Sequence, residues 1–449
     1  ATAATARTAP RIELPVIQDI PKCRAWASKV SNGSNYHAPA PPLWTRRLDR
    51  IFLHPVGGPF VFFLVVLAVF QTIFTGAKPL MDGVQAAIDA SGHWMGLILP
   101  DGPLKSLVVD GVWAGVGNVL SFLPQILILF LFIGFLEDSG YLARAALIAD
   151  RTMARFGLQG KSFIPLLSAY ACAVPAIMAT RTIENKRDRI ATILIAPFMT
   201  CSARLPVYTL VILAFVPDRP LLGFLFGTQA AVMLGLYVLG FIAAILTARL
   251  LKSTILKSKG SSFMMEMPPY RWPTMRSLGL RLLDRSKVFL HRAGTVILVV
   301  AIVIWGLTYF PLHAGKSAEI GASFAGDIGQ TFEPLIRPLG FNWKIGIGLV
   351  TSLAARETIV STLGTIYGIQ GGQEHSLGLQ QALRHDLTPG GAVALLVFFA
   401  FAMQCMSTVA IVRRETGGWR WPAIQFAYMT GVAYICAFLA NQMLSGWIA

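Results

Sequence analysis

The sequence predicts an all-α polytopic membrane protein, with one N-terminal span followed by two inverted-topology repeats, each made of a re-entrant broken helix and three full spans. Three observations predict it. Of 449 residues, 55% are hydrophobic and only 13% charged, mean hydropathy is +0.61, and the apolar residues come in runs that can cross hydrocarbon, which takes ~20 residues. The basic residues gather between those runs. Two further apolar segments are interrupted by prolines or charges and have like flanks on both sides, the pattern of a segment that enters and leaves by one face.

Residues 1–50 are polar and Pro-containing and end in "WTRRLDR", which reads as a cytoplasmic lead-in. Residues 51–111 hold the first transmembrane helix, Pro59 to Gly76, and an external loop. The first repeat, 112–248, has spans at Val112 to Leu136, Ile190 to Val216 and Leu221 to Leu246. Between the first two lies "SFIPLLSAYACAVPAIMAT", Ser162 to Thr180, with basic clusters on both flanks at Arg144 to Lys161 and Arg181 to Arg189. A full crossing would put one basic flank outside, so the segment is re-entrant. Pro165 and Pro175 each remove a backbone donor, and two half-helices meet near Ala171 to Val174.

Residues 249–292 form a basic cytoplasmic loop, with ten Lys/Arg against Glu266 and Asp284, half of the chain's net charge of +16. The second repeat, 293–449, has spans at Ala293 to Leu312, Ala392 to Val412 and Trp421 to Ile448, making seven in all. Its re-entrant segment is Lys344 to Gly368, entered from the opposite face. Leu166 aligns with Leu349 at an offset of 183, and Cys201 with Cys405 at 204. Three full spans per repeat is an odd number, so the second repeat is inverted, as in many transporters whose sites lie near the midplane between broken helices.

Membrane orientation accounts for the charge better than a nucleic-acid partner does, because the basic residues lie in loops and are not interleaved with aromatics. The five cysteines form no spaced framework and read as reduced thiols. The start, "ATAATARTAP", has neither an initiator Met nor an apolar core, so it is no signal peptide and the chain is expected to begin partway through a longer protein. "GLQGKS" lacks the first glycine of a phosphate loop, "NKRD" (Asn185 to Asp188) has no such loop upstream, and no His-Glu-x-x-His pair occurs. Nucleotide binding and intramembrane zinc proteolysis are therefore unsupported within these residues.

The chemistry concentrates in "FMTCSARLPVY", Phe198 to Tyr208. On a continuous helix Pro197, Cys201, Arg204 and Tyr208 share a face, while Pro206 and Pro197 free the carbonyls of Ser202 and Ile193. A thiol, a hydroxyl and a free carbonyl can replace part of a cation's water shell. Cys405 has Met403, Ser407 and Thr408 beside it, and Cys172 precedes Pro175. Thiolates and thioethers, including Met199, point to a softer transition metal rather than Na⁺, Ca²⁺ or Mg²⁺. A lone membrane cysteine or methionine is more often packing. Arg204 is expected to pair with Glu137, Asp138 or Glu357 and to brace the break, since a membrane charge costs ~2.5–3.5 kcal/mol unless partnered. Glu357 serves either as a local partner of Arg356 or in cation attraction or proton coupling.

"GFLEDSGYLARAALIADR", "GKSFIPLLSAYACAVPAIMATRTIENKRDRIATILIAPFMTCSARLPVY", "ARETIVSTLGTIYG" and "RRETGGWRW" together resemble the membrane domain of FeoB, the bacterial ferrous iron transport protein B, over about Asp49 to Trp421. The resemblance implies Fe²⁺ import across the bacterial inner membrane by a multi-pass protein with a cytoplasmic N-terminus. It maps two gate motifs onto Leu166 to Arg181 with Cys201 to Pro206, and onto Leu349 to Gly368 with the Cys405 region. It also implies a GTPase domain, with GTP and Mg²⁺, outside these residues and supplied in cis or in trans. A small FeoA-type regulatory protein and a homo-oligomer are further implied partners besides lipid. The sequence departs from the family pattern at "AYACAVP", where "GFGCNVP" is common, at Arg356, where Lys is common, and at "MQCMST", which lacks a proline before the cysteine. The alternative is a nucleoside or other small-solute transporter built on gate repeats, which would need paired amides and aromatics at the breaks.

Overall fold

The computed structural model describes residues 20–33, 42–54, 56–72, 76–100, 102–155, 157–170, 172–219, 227–257, 270–313, 316–317, 323–353, 356–367, 377–403 and 405–448. Their regular elements are helices apart from one ladder, in which β1 (Leu312–His313) pairs antiparallel with β2 (Lys316–Ser317). The start of the run at Leu221, Ala171 in the expected first break, and the part of the basic loop at 258–269 lie outside the described residues.

The chain divides into two units at Arg50 and Ile51. In order, the helices are α1 (Ile20–Gly33), α2 (Leu43–Phe52), α3 (Gly57–Gln71), α4 (Lys78–Ile98), α5 (Pro103–Ser106), α6 (Ala114–Asp138), α7 (Tyr141–Arg155), α8 (Phe163–Ala169), α9 (Ala173–Ala179), α10 (Lys186–Ile195), α11 (Leu205–Phe215), α12 (Thr228–Ser253), α13 (Met275–Phe289), α14 (Thr295–Tyr309), α15 (Phe324–Ile336), α16 (Trp343–Thr351), α17 (Thr358–Ile366), α18 (Leu377–Asp386), α19 (Pro389–Phe401), α20 (Met406–Thr416) and α21 (Arg420–Ile448). Residues 78–98, within the stretch expected as an external loop, form α4, which packs along α6 through Trp113 Nε1 to the Ile88 carbonyl (3.0 Å) and Ser121 Oγ to Gln85 (2.6 Å).

Local chemistry sets the helix starts. Asn185 caps α10 by accepting from the Arg187 and Asp188 amides, so "NKRD" is a helix start, and Asp188 pairs with Lys252 of α12. Asn342 caps α16 and Thr388 caps α19, where Pro389 occupies the first turn at no cost in donors. Between α6 and α7 the chain turns by 82°. Gly140 makes that turn at φ +80°, a conformation other residues rarely adopt.

Among the described residues, four helical stretches are long and apolar enough to span a membrane: Lys186–Phe215, Thr228–Ser253, Pro389–Thr416 and Arg420–Ser445, or up to six if two bent pairs each count as one. This is fewer than the seven expected. Ala293 to Leu312 yields only the 15 residues of α14, about 22 Å at 1.5 Å per residue, continued at its N-terminal side by a π-helical turn at Leu290–Gly294. The spans also divide into layers. In their 18-residue apolar windows Lys186–Phe215 and Pro389–Thr416 are 61% and 65% buried and form the interior, whereas those of Thr228–Ser253 and Arg420–Ser445 are only 17% and 22% buried and turn most of their apolar surface outward.

Candidate site at four helix breaks

The two interior spans and the two shorter segments are all broken. In the first span α10 ends in a 3₁₀ turn (Ala196–Phe198), Met199 and Cys201 are extended, and a second 3₁₀ turn (Ser202–Arg204) leads into α11. In the second, Ala402 and Cys405 are extended between α19 and α20. Cys172, at φ −156° and ψ 132°, separates α8 from α9, and Arg356 and Glu357 lie between α16 and α17. Cys172, Cys201 and Cys405 thus stand at equivalent places, each the residue immediately before a helical turn.

The breaks face one another. The second halves pack crosswise, α9 against α20 and α17 against α11, and the Met406 amide donates to the Leu353 carbonyl at 2.9 Å. Cys172 lies within electrostatic reach of Cys201, Cys405 and Glu357 together. All three thiols are free and partly accessible. Among the described residues, however, no three His, Cys, Asp or Glu side chains stand close enough to hold a metal ion as a set. Met199, Met403 and Thr408 are buried at about 2% exposure or less, with both thioethers in the apolar core, while Ser202 and Glu357 keep partial exposure.

Three expectations about this region are corrected. Pro197, Cys201, Arg204 and Tyr208 do not share a continuous helical face, because the chain is extended at Met199 and Cys201. The Ser202 carbonyl is not free, since Pro206 lies in the first turn of α11 and the Leu205 amide donates to Ser202. The Ile193 carbonyl, four residues before Pro197, is taken by Gln425 Nε2 of α21 at 3.1 Å, and Gln425 and Tyr428 both donate to Leu194 (2.9 and 2.6 Å).

Arg204 does not form the expected carboxylate pair either. Its terminal nitrogens donate to the carbonyls of Pro197 (2.9 Å), Phe198 (3.2 Å) and Met199 (3.1 Å), and reach Ala402 of the other broken span at 3.5 Å. These are the carbonyls that a helix end leaves unsatisfied, so Arg204 closes one break and touches the other. Asp138 instead pairs with Arg281 at 2.6 Å, and Glu357 has Arg356 as its charged neighbour. Pro175 lies in the first turn of α9, and Glu137 lies near the end of α6.

Residues that sequence reasoning passed over complete the surroundings. Tyr237 of α12 stacks on Tyr170 with ring centroids 6.0 Å apart and lies electrostatically close to Cys201. Thr200 sits in the break itself, fully buried, and Gly240 lets α12 approach, since a Cβ there would be 2.7 Å from the Phe198 carbonyl oxygen. On the basic side, Glu415 at the end of α20 accepts from both Arg181 and Arg189 at 2.6 Å. An acid between two basic clusters was the available signal for that clamp.

A family model described as Gate, nucleoside recognition, matches residues 119–215 and 290–419, and one described as ferrous iron transport protein B C terminus matches 233–285. The chain is 46% identical over 412 residues to the Fe(2+) transporter FeoB of Leptospira biflexa, covering 89% of this chain and 60% of that protein. It is 47% identical over 416 residues to the FeoB of Leptospira interrogans (88% and 59%). To an Fe(2+) transport protein A/Fe(2+) transporter FeoB fusion protein of Porphyromonas gingivalis it is 39% identical over 442 residues (89% and 51%). The chain spans about 60% of the length of the first two relatives. No solved structure matches. With the Gate model covering the four breaks, the ferrous iron transport protein B C-terminus model covering 233–285, and these relatives covering 88–89% of the chain, the chain belongs to the FeoB family.

Proposed function

We propose that the chain forms the membrane part of a ferrous iron importer, and that Fe²⁺ crosses the midplane between the four helix breaks. The observation that carries this reading is that Cys172, Cys201 and Cys405 each stand at a helix break, with Cys201, Cys405 and Glu357 in electrostatic reach of Cys172. Soft thiols suit a borderline transition metal better than Na⁺, Ca²⁺ or Mg²⁺. On this reading the thiols act one after another rather than as a single cage, because conduction needs binding weak enough to release the ion. Ser202 and Glu357, both partly exposed, contribute oxygen ligands, while Met199, Met403 and Thr408 shape the walls. Arg204, Pro175, Pro197 and Pro206 hold the breaks, and Glu137 and Asp138 belong to the end of α6, where Asp138 pairs with Arg281 of α13.

The crosswise packing of α9 on α20 and α17 on α11 supports two inverted gate repeats, 112–248 and 293–449, exchanging their half-helices about a pseudo-two-fold axis. The names of the relatives support the substrate. The fusion relative supports an Fe(2+) transport protein A, or FeoA-type, partner. A GTPase domain in cis or in trans, a bacterial inner-membrane location and a cytoplasmic N-terminus complete the proposal. Nucleoside transport is the weaker reading, since the breaks offer thiols and hydroxyls rather than paired amides.

The test is anaerobic Fe²⁺ uptake in an iron-starved host with the GTPase partner present, comparing the parent protein with Cys201→Ser and Cys405→Ser at equal expression. Uptake is expected to fall about tenfold or more in each variant, the loss of ~1.4 kcal/mol or more at a rate-limiting site. Unchanged uptake in both would return the cysteines to packing.

A further inference from the structure

Beside the thiols lies a group of buried donors with unmet hydrogen-bonding capacity. Arg356, 3% exposed, has no hydrogen-bond partner at Nε or at one terminal nitrogen. Arg204, fully buried, spends its terminal nitrogens on carbonyls, and its Nε has no partner. Thr200 Oγ1 and the Tyr208 hydroxyl are also fully buried and also unpartnered. Tyr208 lies beside Thr200, but neither hydroxyl reaches hydrogen-bond geometry with the other. The four side chains belong together: Arg204 feels the charge of Arg356, and Tyr208 interacts with both guanidiniums.

Two buried guanidiniums within electrostatic range of each other, both with unmet donors, form an unfavourable arrangement unless an acceptor is present. Water would satisfy the donors but leave the charge. Glu357 offsets only one of the two positive charges. A carbonyl lining offers partial charges alone, and Arg204 already uses it with its other nitrogens.

We propose that Arg356, Arg204, Thr200 and Tyr208 form a binding site for a small monovalent inorganic anion of the halide class, at the break of the first interior span. With one such anion bound, one of the two guanidinium charges is balanced within the break. A cation approaching Cys201 then meets a less positive wall. Selectivity for a small ion follows from full burial, and the paired hydroxyls add two neutral donors to the charged ones.

The test uses the full-length protein in lipid nanodiscs, melted at constant ionic strength with chloride replacing gluconate, an anion too large for a buried site. The parent protein is expected to gain a few degrees in Tm with saturating chloride, by preferential binding to the folded state. Arg356→Gln is expected to abolish the chloride effect, and the milder Thr200→Val and Tyr208→Phe to raise several-fold the chloride concentration that gives half of it. Bromide-soaked crystals of the parent should show anomalous density between the two guanidiniums. The same Tm in chloride and gluconate for the parent overturns the proposal, as does a chloride effect undiminished in both Arg356→Gln and Tyr208→Phe. No iron enters either readout, so failure here leaves the transport reading standing, and loss of the transport reading leaves this site standing.

Discussion

Arg204 carries more of the architecture than any other single side chain at the breaks. An arginine buried at this depth would ordinarily call for a carboxylate, yet here backbone oxygens take that place, three from its own span and one from the other. The planar guanidinium suits this work because its several donors point in fixed, divergent directions, which a lysine head cannot reproduce. Arg204→Ala would leave the carbonyls of Pro197, Phe198 and Met199 without that donor, at ~1–3 kcal/mol for each buried group left unsatisfied. Thermal unfolding in detergent is expected to show a loss of several degrees or outright failure to fold, and Arg204→Lys only partial recovery. An unaltered melting curve for Arg204→Ala would mean that the carbonyls find other donors.

At the scale of elements, interrupted helices replace the continuous ones that apolar runs suggest, and each interruption has a local cause and a tertiary support. Proline at the start of α11 ends the preceding pairing without wasting a donor, and α21 supplies Gln425 to the Ile193 carbonyl that Pro197 cannot serve, with Gln425 and Tyr428 both donating to Leu194. A second support lies where α16, α17 and α18 meet. Asp386, at the end of α18, accepts from Lys344 (2.6 Å) and from the Tyr367 hydroxyl (2.8 Å). Burial pushes its carboxyl up, but the bonds from Lys344, Tyr367 and His385 outweigh that and hold it below the usual carboxylate range. A depressed folded-state value means the stabilisation is complete above the ordinary value of about 3.9 and is lost as pH falls through the lower folded one. The parent should therefore outlast Asp386→Asn by a constant margin between about pH 5 and 8, with the margin vanishing below about pH 4. Urea or thermal midpoints across that range read it directly, and a margin that persisted at the acid end would remove the carboxylate from the account.

For the whole molecule, the basic loop and the Arg181–Arg189–Glu415 clamp are read as facing the cytoplasm. A cysteine introduced at Arg271, an exposed loop position, should react with a membrane-impermeant maleimide only after spheroplasts are permeabilised. Labelling of intact spheroplasts above the parent background would reverse the proposed topology. The membrane class and four of the seven expected spans were legible in the sequence, because hydropathy and charge placement are properties of chain order. Where Arg204 spends its donors, which donors take the carbonyls of Ile193 and Ser202, how α9 meets α20 and which nitrogens of Arg356 lack a partner were decided only by the tertiary structure. The physical reason is that a buried hydrogen-bonding group is satisfied by whatever packs nearest in space, and at the breaks that neighbour comes from up to about half the chain away, as Ala402 does for Arg204 and Gln425 for Ile193.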